Sequence, residues 1–175
     1  MKFRTWMWNT AMCLFAALAI SFQTFAQTQV ITSAASAKSK FTTFDPPGSL
    51  ATNPTSINPA GAITGSYFDA SHVAQGFLVG HGFLRAGDGT ITTFDPPGST
   101  YTQTNSINAA GAITGNYYDE SFVQHGFLRA GNGSFTTFDP PGAIGTAPSS
   151  INPAGAITGF YIDAGYVQRG FLWSH

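Results

Sequence analysis

Three copies of one sequence unit occupy most of this 175-residue chain, and this repetition limits the folds that the chain can adopt. The motif Phe-Asp-Pro-Pro-Gly ends at Gly48, Gly98 and Gly142, and the motif Gly-Ala-Ile-Thr-Gly ends at Gly65, Gly115 and Gly159. Successive copies lie 50 and 44 residues apart, and a Gly-Phe-Leu motif that is doubled only in the first copy accounts for the difference. A period of this length is typical of architectures in which similar units pack against their neighbours.

Each unit predicts four short β-strands, which we label a to d in the order of the motifs. In the second unit they cover residues 104–108, 112–118, 122–129 and 134–138. Glycine-rich turns separate strands a to d, and the paired prolines of the Asp-Pro-Pro-Gly segment end strand d because proline has no amide hydrogen. No segment between the first unit and the last has the apolar spacing of a helix, so the sequence predicts an all-β fold.

Four strands in about 40 to 45 residues are typical of one propeller blade. We therefore expect three repeats of four short antiparallel strands, arranged as β-propeller-type blades, in a single domain that covers residues 41–175. The units run approximately over residues 41–90, 91–134 and 135–175. Because propellers typically have four to eight blades, a β-trefoil or a β-prism is the alternative.

The order of the strands predicts how copies of the chain associate. The first copy begins with strand d at residues 41–45, whereas the last copy ends with strand c. We expect a homodimer in which residues 41–45 of each chain complete the last unit of the other, which removes two exposed sheet edges. A trefoil or prism would be a monomer, and a third possibility is a shortened relative of a longer propeller.

Residues 1–26 predict a cleavable signal peptide. Lys2 and Arg4 precede an apolar run of ten residues, and small residues allow cleavage after Ala26. Residues 27–40 are rich in Ser, Ala and Thr and predict a flexible linker. We expect a secreted or periplasmic protein with no membrane span, since ten apolar residues are too few to cross a bilayer. The one cysteine, Cys13, lies in the leader, so the mature chain has no disulfide.

The repeated motifs resemble a known family. Gly-Ala-Ile-Thr-Gly is followed in each copy by Gly-Phe-Leu, and Trp173 completes the last copy. In this pattern the chain resembles the HAF-type probable extracellular repeat family of secreted bacterial β-repeat, propeller-like proteins, whose units end in His-Ala-Phe-Leu-Trp. Glycine replaces the alanine in every copy, and only His125 matches the histidine. The resemblance implies an exported β-repeat protein and carries no assigned reaction.

The candidate ligand-binding residues recur at equivalent positions of the three units. They are a tyrosine of strand b, the aspartate of the following turn and an asparagine of strand a: Tyr67, Tyr117 and Tyr161; Asp69, Asp119 and Asp163; Asn58, Asn108 and Asn152. Exposed tyrosines beside an Asp turn would suit stacking against a sugar, and an inner ring of amides would suit a polar ligand. Each of these residues also has a structural interpretation, because short polar side chains beside turns usually bond locally.

Composition and motifs argue against several function classes. The formal net charge is −1, which is unlike the basic surface of a nucleic-acid-binding protein. Asp45, Asp95 and Asp139 are expected to cap turns rather than to form a metal site, and the four histidines fall at different unit positions. No nucleophile motif is present, so we expect neither enzymatic activity, catalytic residues nor a cofactor.

The sequence therefore predicts an exported, non-enzymatic β-repeat scaffold or binding module at the cell envelope, with glycans or surface polymers as ligands. Two alternatives are a secreted hydrolase or lyase that uses an Asp cluster and a purely structural protein with no small ligand.

Overall fold

The computed structural model describes residues 39–70 and 79–174, and those from Thr42 onward belong to one compact unit. The predicted signal peptide, residues 27–38 of the predicted linker, and His72 and Phe77 lie outside the described residues. The described residues contain eleven β-strands and no helix, so the all-β prediction is confirmed. Accordingly, none of them forms a helix of the length and apolar character that a bilayer crossing requires.

The strands follow the repeated motifs in order. They are β1 (Ser49–Ile57), β2 (Ile63–Asp69), β3 (Gly80–Arg85), β4 (Ile91–Phe94), β5 (Tyr101–Ile107), β6 (Ile113–Tyr118), β7 (Gln124–Arg129), β8 (Phe135–Phe138), β9 (Ala143–Ile151), β10 (Ile157–Asp163) and β11 (Gln168–Trp173). We call β1–β4 repeat 1, β5–β8 repeat 2 and β9–β11 repeat 3. Within each repeat the strands correspond in order to the predicted strands a, b, c and d, and repeat 3 contains a to c.

Each repeat is an antiparallel meander in which sequential strands pair. Repeat 1 forms a four-stranded sheet in the order β1-β2-β3-β4. Repeats 2 and 3 share a seven-stranded sheet, which is joined by a single parallel bridge between Gln124 and Gly145. Pairing is therefore almost entirely internal to each repeat, and the repeats associate through their faces.

The doubled Gly-Phe-Leu motif of the first copy had two possible registers, and the structure selects one. Phe83 lies opposite Gly65, as Phe127 lies opposite Gly115 in repeat 2, and both phenylalanines are fully buried. Phe83 of the second Gly-Phe-Leu motif thus enters the hairpin pairing. Strands β3 and β7 thus begin 44 residues apart, and the six additional residues precede β3.

The glycine in the middle of strand b is required by a close backbone approach. A Cβ atom at Gly115 would lie 2.1 Å from the main-chain oxygen of Gln103, and one at Gly65 would lie 2.3 Å from that of Asn53. The pairing register shifts beside these contacts, at Pro54/Ser56 and Thr104/Ser106. These glycines therefore allow the close approach of strand a beside a bulge.

Strand d of the first copy does not form as predicted. Residues 41–45 are not in a strand, whereas β4 and β8 occupy the corresponding segments of the next copies. Strands β4 and β8 each pair with the preceding strand c, and no described strand pairs with residues 41–45. Residues 41–43 are exposed, and the ring of Phe44 contacts Phe83 and Arg85.

The core lies between consecutive repeats. Ile107, Ile113, Tyr117 and Phe127 of repeat 2 form one buried cluster, and Leu84 and Phe94 of repeat 1 pack against it. A second cluster combines Leu128 and Phe138 of repeat 2 with Ile151 and Ile157 of repeat 3. The repeats are therefore held together by apolar contacts between a strand c of one repeat and strands a and b of the next.

The Phe-Asp-Pro-Pro-Gly motif connects neighbouring repeats. Its phenylalanine packs against the end of the next strand c: the Arg85 guanidinium lies 5.1 Å from the Phe44 ring, and that of Arg129 lies 4.8 Å from the Phe94 ring. In the third case Trp173 stacks on Phe138 with ring centroids 4.6 Å apart. Cation–π and aromatic contacts of this kind add directional preference to the apolar contact.

The aspartate of the motif does more than cap its own turn. One carboxylate oxygen of Asp45, Asp95 or Asp139 accepts a hydrogen bond from a threonine seven residues later, at 2.7, 2.6 and 2.5 Å respectively. The turn itself is closed by a main-chain bond, such as that from Ser99 N to Pro96 O. The predicted local cap is thus corrected to a bond across the whole Pro-Pro-Gly turn, from the end of strand d to the next strand a.

Candidate functional site

The asparagines of the candidate set form a chain of hydrogen bonds from repeat to repeat. Asn58 Nδ2 donates to the main-chain oxygen of Asn108 at 3.1 Å, and Asn108 Nδ2 donates to that of Asn152 at 3.2 Å. Their Oδ1 atoms accept main-chain N–H bonds from the following turn, from Ala62, Ala112 and Ala156. Both ends of the Asn58 and Asn108 amides are therefore engaged within the protein, which matches the structural interpretation of these residues.

The tyrosines of the set are less exposed than the sequence suggested. Tyr67 and Tyr117 are buried, and Tyr161 is half-buried, so the expectation of exposed rings is wrong for the first two. The Tyr117 hydroxyl lies 3.2 Å from Thr137 Oγ1. Burial raises the pKa of Tyr67, while its hydrogen bond with Thr93 acts in the opposite direction. These side chains fill the sheet face because their position on strand b faces inward.

Two aspartates of the set, Asp119 and Asp163, shape the turn between strands b and c, which we call the b–c turn. Asp119 Oδ1 accepts bonds from the amides of Ser121 and Val123, both at 2.8 Å. Asp163 Oδ1 accepts the corresponding bonds from Gly165 at 2.9 Å and Val167 at 3.0 Å. The bond from Val123 is the main cause of the lowered pKa of Asp119, whereas the Arg169 side chain is the main cause at Asp163.

Two histidines connect these turns to strand d, a relationship that the sequence analysis missed. His125 Nδ1 lies 2.7 Å from Asp139 Oδ2, and its Nε2 lies 3.3 Å from Asp119 Oδ2. His81 has the same position in repeat 1, with its Nδ1 at 2.7 Å from Asp95 Oδ2 and its Nε2 at 3.5 Å from Asp69 Oδ2. The centroid of each imidazole ring also lies 5.3 Å from that of the tyrosine ring opposite it on strand b.

The statement that all four histidines fall at different unit positions is therefore wrong for His81 and His125. They pair with Tyr67 and Tyr117, and Arg169 occupies the equivalent position opposite Tyr161. The 44-residue spacing of His81, His125 and Arg169 is the signal that could have shown this. Arg169 Nε bonds Asp163 Oδ2 at 2.5 Å, so a cationic or protonatable group meets the turn aspartate in each repeat.

The most exposed apolar side chains of repeats 2 and 3 include a matched pair at the b–c turn. Phe122 is 79% exposed and Tyr166 is 84% exposed, and they follow their turn aspartates at the same distance. Both residues have left-handed backbone conformation, with φ of 60° and 61°. Val123 and Val167 beside them are also exposed. We call each aromatic residue with its valine a turn tip.

The left-handed conformation at the turn tip is unusual for a bulky residue and costs energy. It is held by a tight turn, in which Phe122 N donates to Asp119 O at 3.0 Å and Tyr166 N donates to Asp163 O at 2.8 Å. Glycine or asparagine would adopt this backbone at lower cost. A large ring in such a position, fully outside the core, is the kind of local strain that accumulates at functional sites. The equivalent residue of the first copy is His72, which lies outside the described residues.

The described residues hold no cluster of three or more His, Cys, Asp or Glu side chains that could bind a metal ion. The repeated aspartates instead bond to groups of their own turn, of the neighbouring strand c or of the next strand a. The three Asp45-type carboxylates each bond a different threonine.

No protein-family model matches the chain, and none of the curated proteins is significantly similar to it in sequence. The resemblance of its motifs to the HAF-type repeat stays a prediction.

Proposed function

We propose that this chain is an exported, non-enzymatic β-repeat module at the cell envelope that binds glycans or surface polymers through its turn tips. The observation that carries the proposal is the repeated aromatic residue at the b–c turn, which is exposed and strained at the same place in repeats 2 and 3. An aromatic face offers a large apolar surface with little conformational freedom to lose, which suits stacking against a sugar ring. Equivalent sites on one chain suit weak multivalent binding to a polymer.

This proposal moves the binding surface from the tyrosines of strand b to the turn tips. Tyr67 and Tyr117 are buried, whereas Asp119 shapes the turn that displays the Phe122 ring. It stays a prediction that the nine candidate Tyr, Asp and Asn residues contact a ligand. The hydrogen bonds that these residues form within the protein favour a structural role, in which they fix the geometry of the turn rather than contact the ligand.

The same internal bonds support a non-enzymatic function. Asn58 and Asn108 bond to neighbouring repeats, and Asp95 and Asp139 bond to a threonine and a histidine. General acid–base catalysis by two carboxylates needs two different environments, whereas these repeats place their carboxylates in matching ones. The rival proposal, a secreted hydrolase or lyase, requires a carboxylate such as that of Asp95 to be reactive despite these bonds.

We further propose that the repeats are propeller-type blades and that two copies form a homodimer, as the strand order predicted. Each repeat is a meander whose strands pair in sequence, and consecutive repeats meet face to face. Two chains together carry six such repeats, within the usual range of four to eight blades.

A glycan array and a panel of insoluble cell-wall polysaccharides, probed with the exported chain, test the binding proposal. We expect retention on at least one polymer with no loss of the polymer's chain length. A hydrolase and lyase panel on the same material tests the rival. Turnover that disappears in the Asp95→Ala variant would favour the enzyme and contradict our proposal.

A further inference from the structure

The same interface occurs twice within the chain, between repeats 1 and 2 and between repeats 2 and 3. Leu84 packs on the cluster that contains Ile107 and Ile113, and Leu128 packs in the same manner with Ile151 and Ile157. Polar bonds also recur. Ser56 Oγ accepts from Ile107 N at 3.3 Å, and Ser106 Oγ accepts from Ile151 N at 3.4 Å.

The two halves of this interface are uncovered at opposite faces of the repeat array. Ile57 is 65% exposed, although its equivalents Ile107 and Ile151 are each 6% exposed. Leu172 is 77% exposed, although its equivalent Leu128 is 7% exposed. The face of repeat 1 around Ile57 thus corresponds to a surface that a preceding repeat covers, and the face of repeat 3 around Leu172 corresponds to one that a following repeat covers.

The polar and charged groups of the two faces are complementary as well. Asn152 is exposed and is the next donor in the chain of asparagine bonds, for which the main-chain oxygen of Asn58 is the matching acceptor. His81 and His125 each bond the aspartate that ends the neighbouring strand d. At the equivalent position of repeat 3 stands the cationic Arg169, and the aspartate equivalent to Asp95 and Asp139 is Asp45.

Space for a further strand is also open beside β11. A Cβ atom at Gly82 would lie 2.5 Å from the Phe94 ring, and one at Gly126 would lie 3.0 Å from the Phe138 ring. At Gly170, the equivalent position of β11, the nearest atom found is the main-chain oxygen of Gly159 at 3.9 Å. β11 is the last strand in its sheet order, so its outer edge is available for pairing.

We infer that a second copy of this chain occupies these faces, so that the Leu172 face of one chain packs on the Ile57 face of the other. Residues 42–45 of one chain then pair with β11 of the other and form the fourth strand of its repeat 3. The inference rests on the proposed homodimer and specifies its register. By analogy with β4 on β3 and β8 on β7, Leu172 lies opposite the partner's Thr42 and Gly170 lies opposite the partner's Phe44. Arg169 then pairs with the partner's Asp45, and two such junctions close a ring.

The first test measures mass by light scattering on the exported chain over a wide range of concentration. We expect a dimer, which Leu172→Asp converts to a folded monomer because the side chain is exposed within one chain and buried between two. Phe122→Asp is the matched control, because it also introduces an aspartate at an equally exposed apolar residue. In this variant the dimer should persist. A dimer that survives Leu172→Asp, or a wild-type chain that is monomeric throughout, would overturn the inference.

A second variant separates assembly from folding. Gly170→Ala adds one methyl group where the single chain has open space, so thermal unfolding of the diluted monomer should not change. The dimer should weaken at least tenfold, because the methyl group meets the partner's Phe44. Gly126→Ala is the internal comparison, and it should lower the unfolding temperature of the chain itself. An unchanged dimer in Gly170→Ala would contradict the predicted register.

Disulfide cross-linking identifies the partner and the closure. Thr42→Cys with Leu172→Cys, in a Cys13→Ser background, places two thiols on opposite residues of the predicted strand pair, within reach of a disulfide. Oxidation should give a covalent dimer. A monomer with an internal disulfide would show that one chain closes on itself, and a ladder of larger products would show an open chain of copies; either result overturns the closed dimer. Polymer retention by the turn tips is measured separately, so its failure leaves this test intact.

Discussion

His125 Nδ1 lies 2.7 Å from Asp139 Oδ2, and this contact joins strand c to the end of strand d at the point where the Pro-Pro-Gly turn leads into repeat 3. The other ring nitrogen faces Asp119, which shapes the b–c turn. One imidazole thus connects the turn that displays Phe122 with the segment that connects two repeats.

We expect this contact to make stability depend on pH. Burial of the imidazole lowers the pKa of His125, but its hydrogen bonds with Asp139 and Asp119 outweigh burial and raise the pKa above the usual 6.5. A raised pKa in the folded state means that the protonated pair stabilises fully below about pH 6.5 and that this stability is lost as pH rises through the folded pKa. Urea unfolding from acidic to mildly alkaline pH should therefore show a falling free energy of unfolding.

The chain provides its own control for this prediction, because Arg169 fills the position of His125 in repeat 3. His125→Arg should keep the ion pair at all these pH values and so remove the loss on the alkaline side. His125→Gln should make the free energy of unfolding independent of pH over this range, at the lower value that the wild type has on the alkaline side. A wild-type profile that His125→Gln does not change would show that another group titrates.

The chain of asparagines predicts unequal costs for equal substitutions. Asn108→Ala removes a bond to Asn152 O and one from Ala112 N at a buried position, and it should lower the free energy of unfolding by about 2 to 3 kcal/mol. In the diluted monomer, Asn152→Ala removes one bond at an exposed position and should cost about 1 kcal/mol or less, since water replaces the lost partner. Equal costs in urea unfolding would argue against the repeat-to-repeat bond.

The register of the first copy predicts a large effect of Phe83→Ala. Its ring is fully buried and meets Phe44 edge to face at 5.9 Å, so truncation should cost about 3 to 5 kcal/mol. Phe127→Ala should cost the same because it is its equivalent in repeat 2. A cost near zero at Phe83 alone, measured by chemical denaturation, would show that the inserted segment does not enter the core.

The strained turn tips predict that stability and binding change in opposite directions. Asparagine tolerates the left-handed backbone better than phenylalanine or tyrosine, so Phe122→Asn and Tyr166→Asn should each raise the free energy of unfolding by up to about 1 kcal/mol. The exposed rings contribute little packing that could be lost. Calorimetric unfolding of each variant checks this prediction, and a marked loss of stability would show that the ring supports the turn.

Much of the fold could be predicted because the repeated motifs carry local signals. The turn residues marked the ends of strands b and d of the second unit to within one residue, whereas β5 begins at Tyr101, three residues before the predicted strand a. Strand d at residues 41–45 failed as a prediction because no strand of the described residues pairs with it. A strand forms only when its backbone bonds have a neighbour.

The site was harder to predict because its decisive residues differ between copies. His81, His125 and Arg169 share a position but not an identity, and the doubled Gly-Phe-Leu motif hid their common spacing. Phe122 and Tyr166 likewise correspond to His72, so no repeated letter marked the turn tip. The tyrosines were repeated and therefore conspicuous, yet repetition reflected their burial against the sheet rather than exposure.

Retention on an insoluble polysaccharide tests the central claim most directly. The wild-type chain without residues 1–26 is compared, by depletion from solution over increasing amounts of polymer, with the double variant Phe122→Asn/Tyr166→Asn. The control, Phe122→Tyr/Tyr166→Phe, keeps both rings and exchanges only the hydroxyl group. We predict that the control binds as the wild type does, whereas the ring-free variant loses at least tenfold in apparent affinity while staying folded. Equal retention of all three chains would contradict binding through the turn tips.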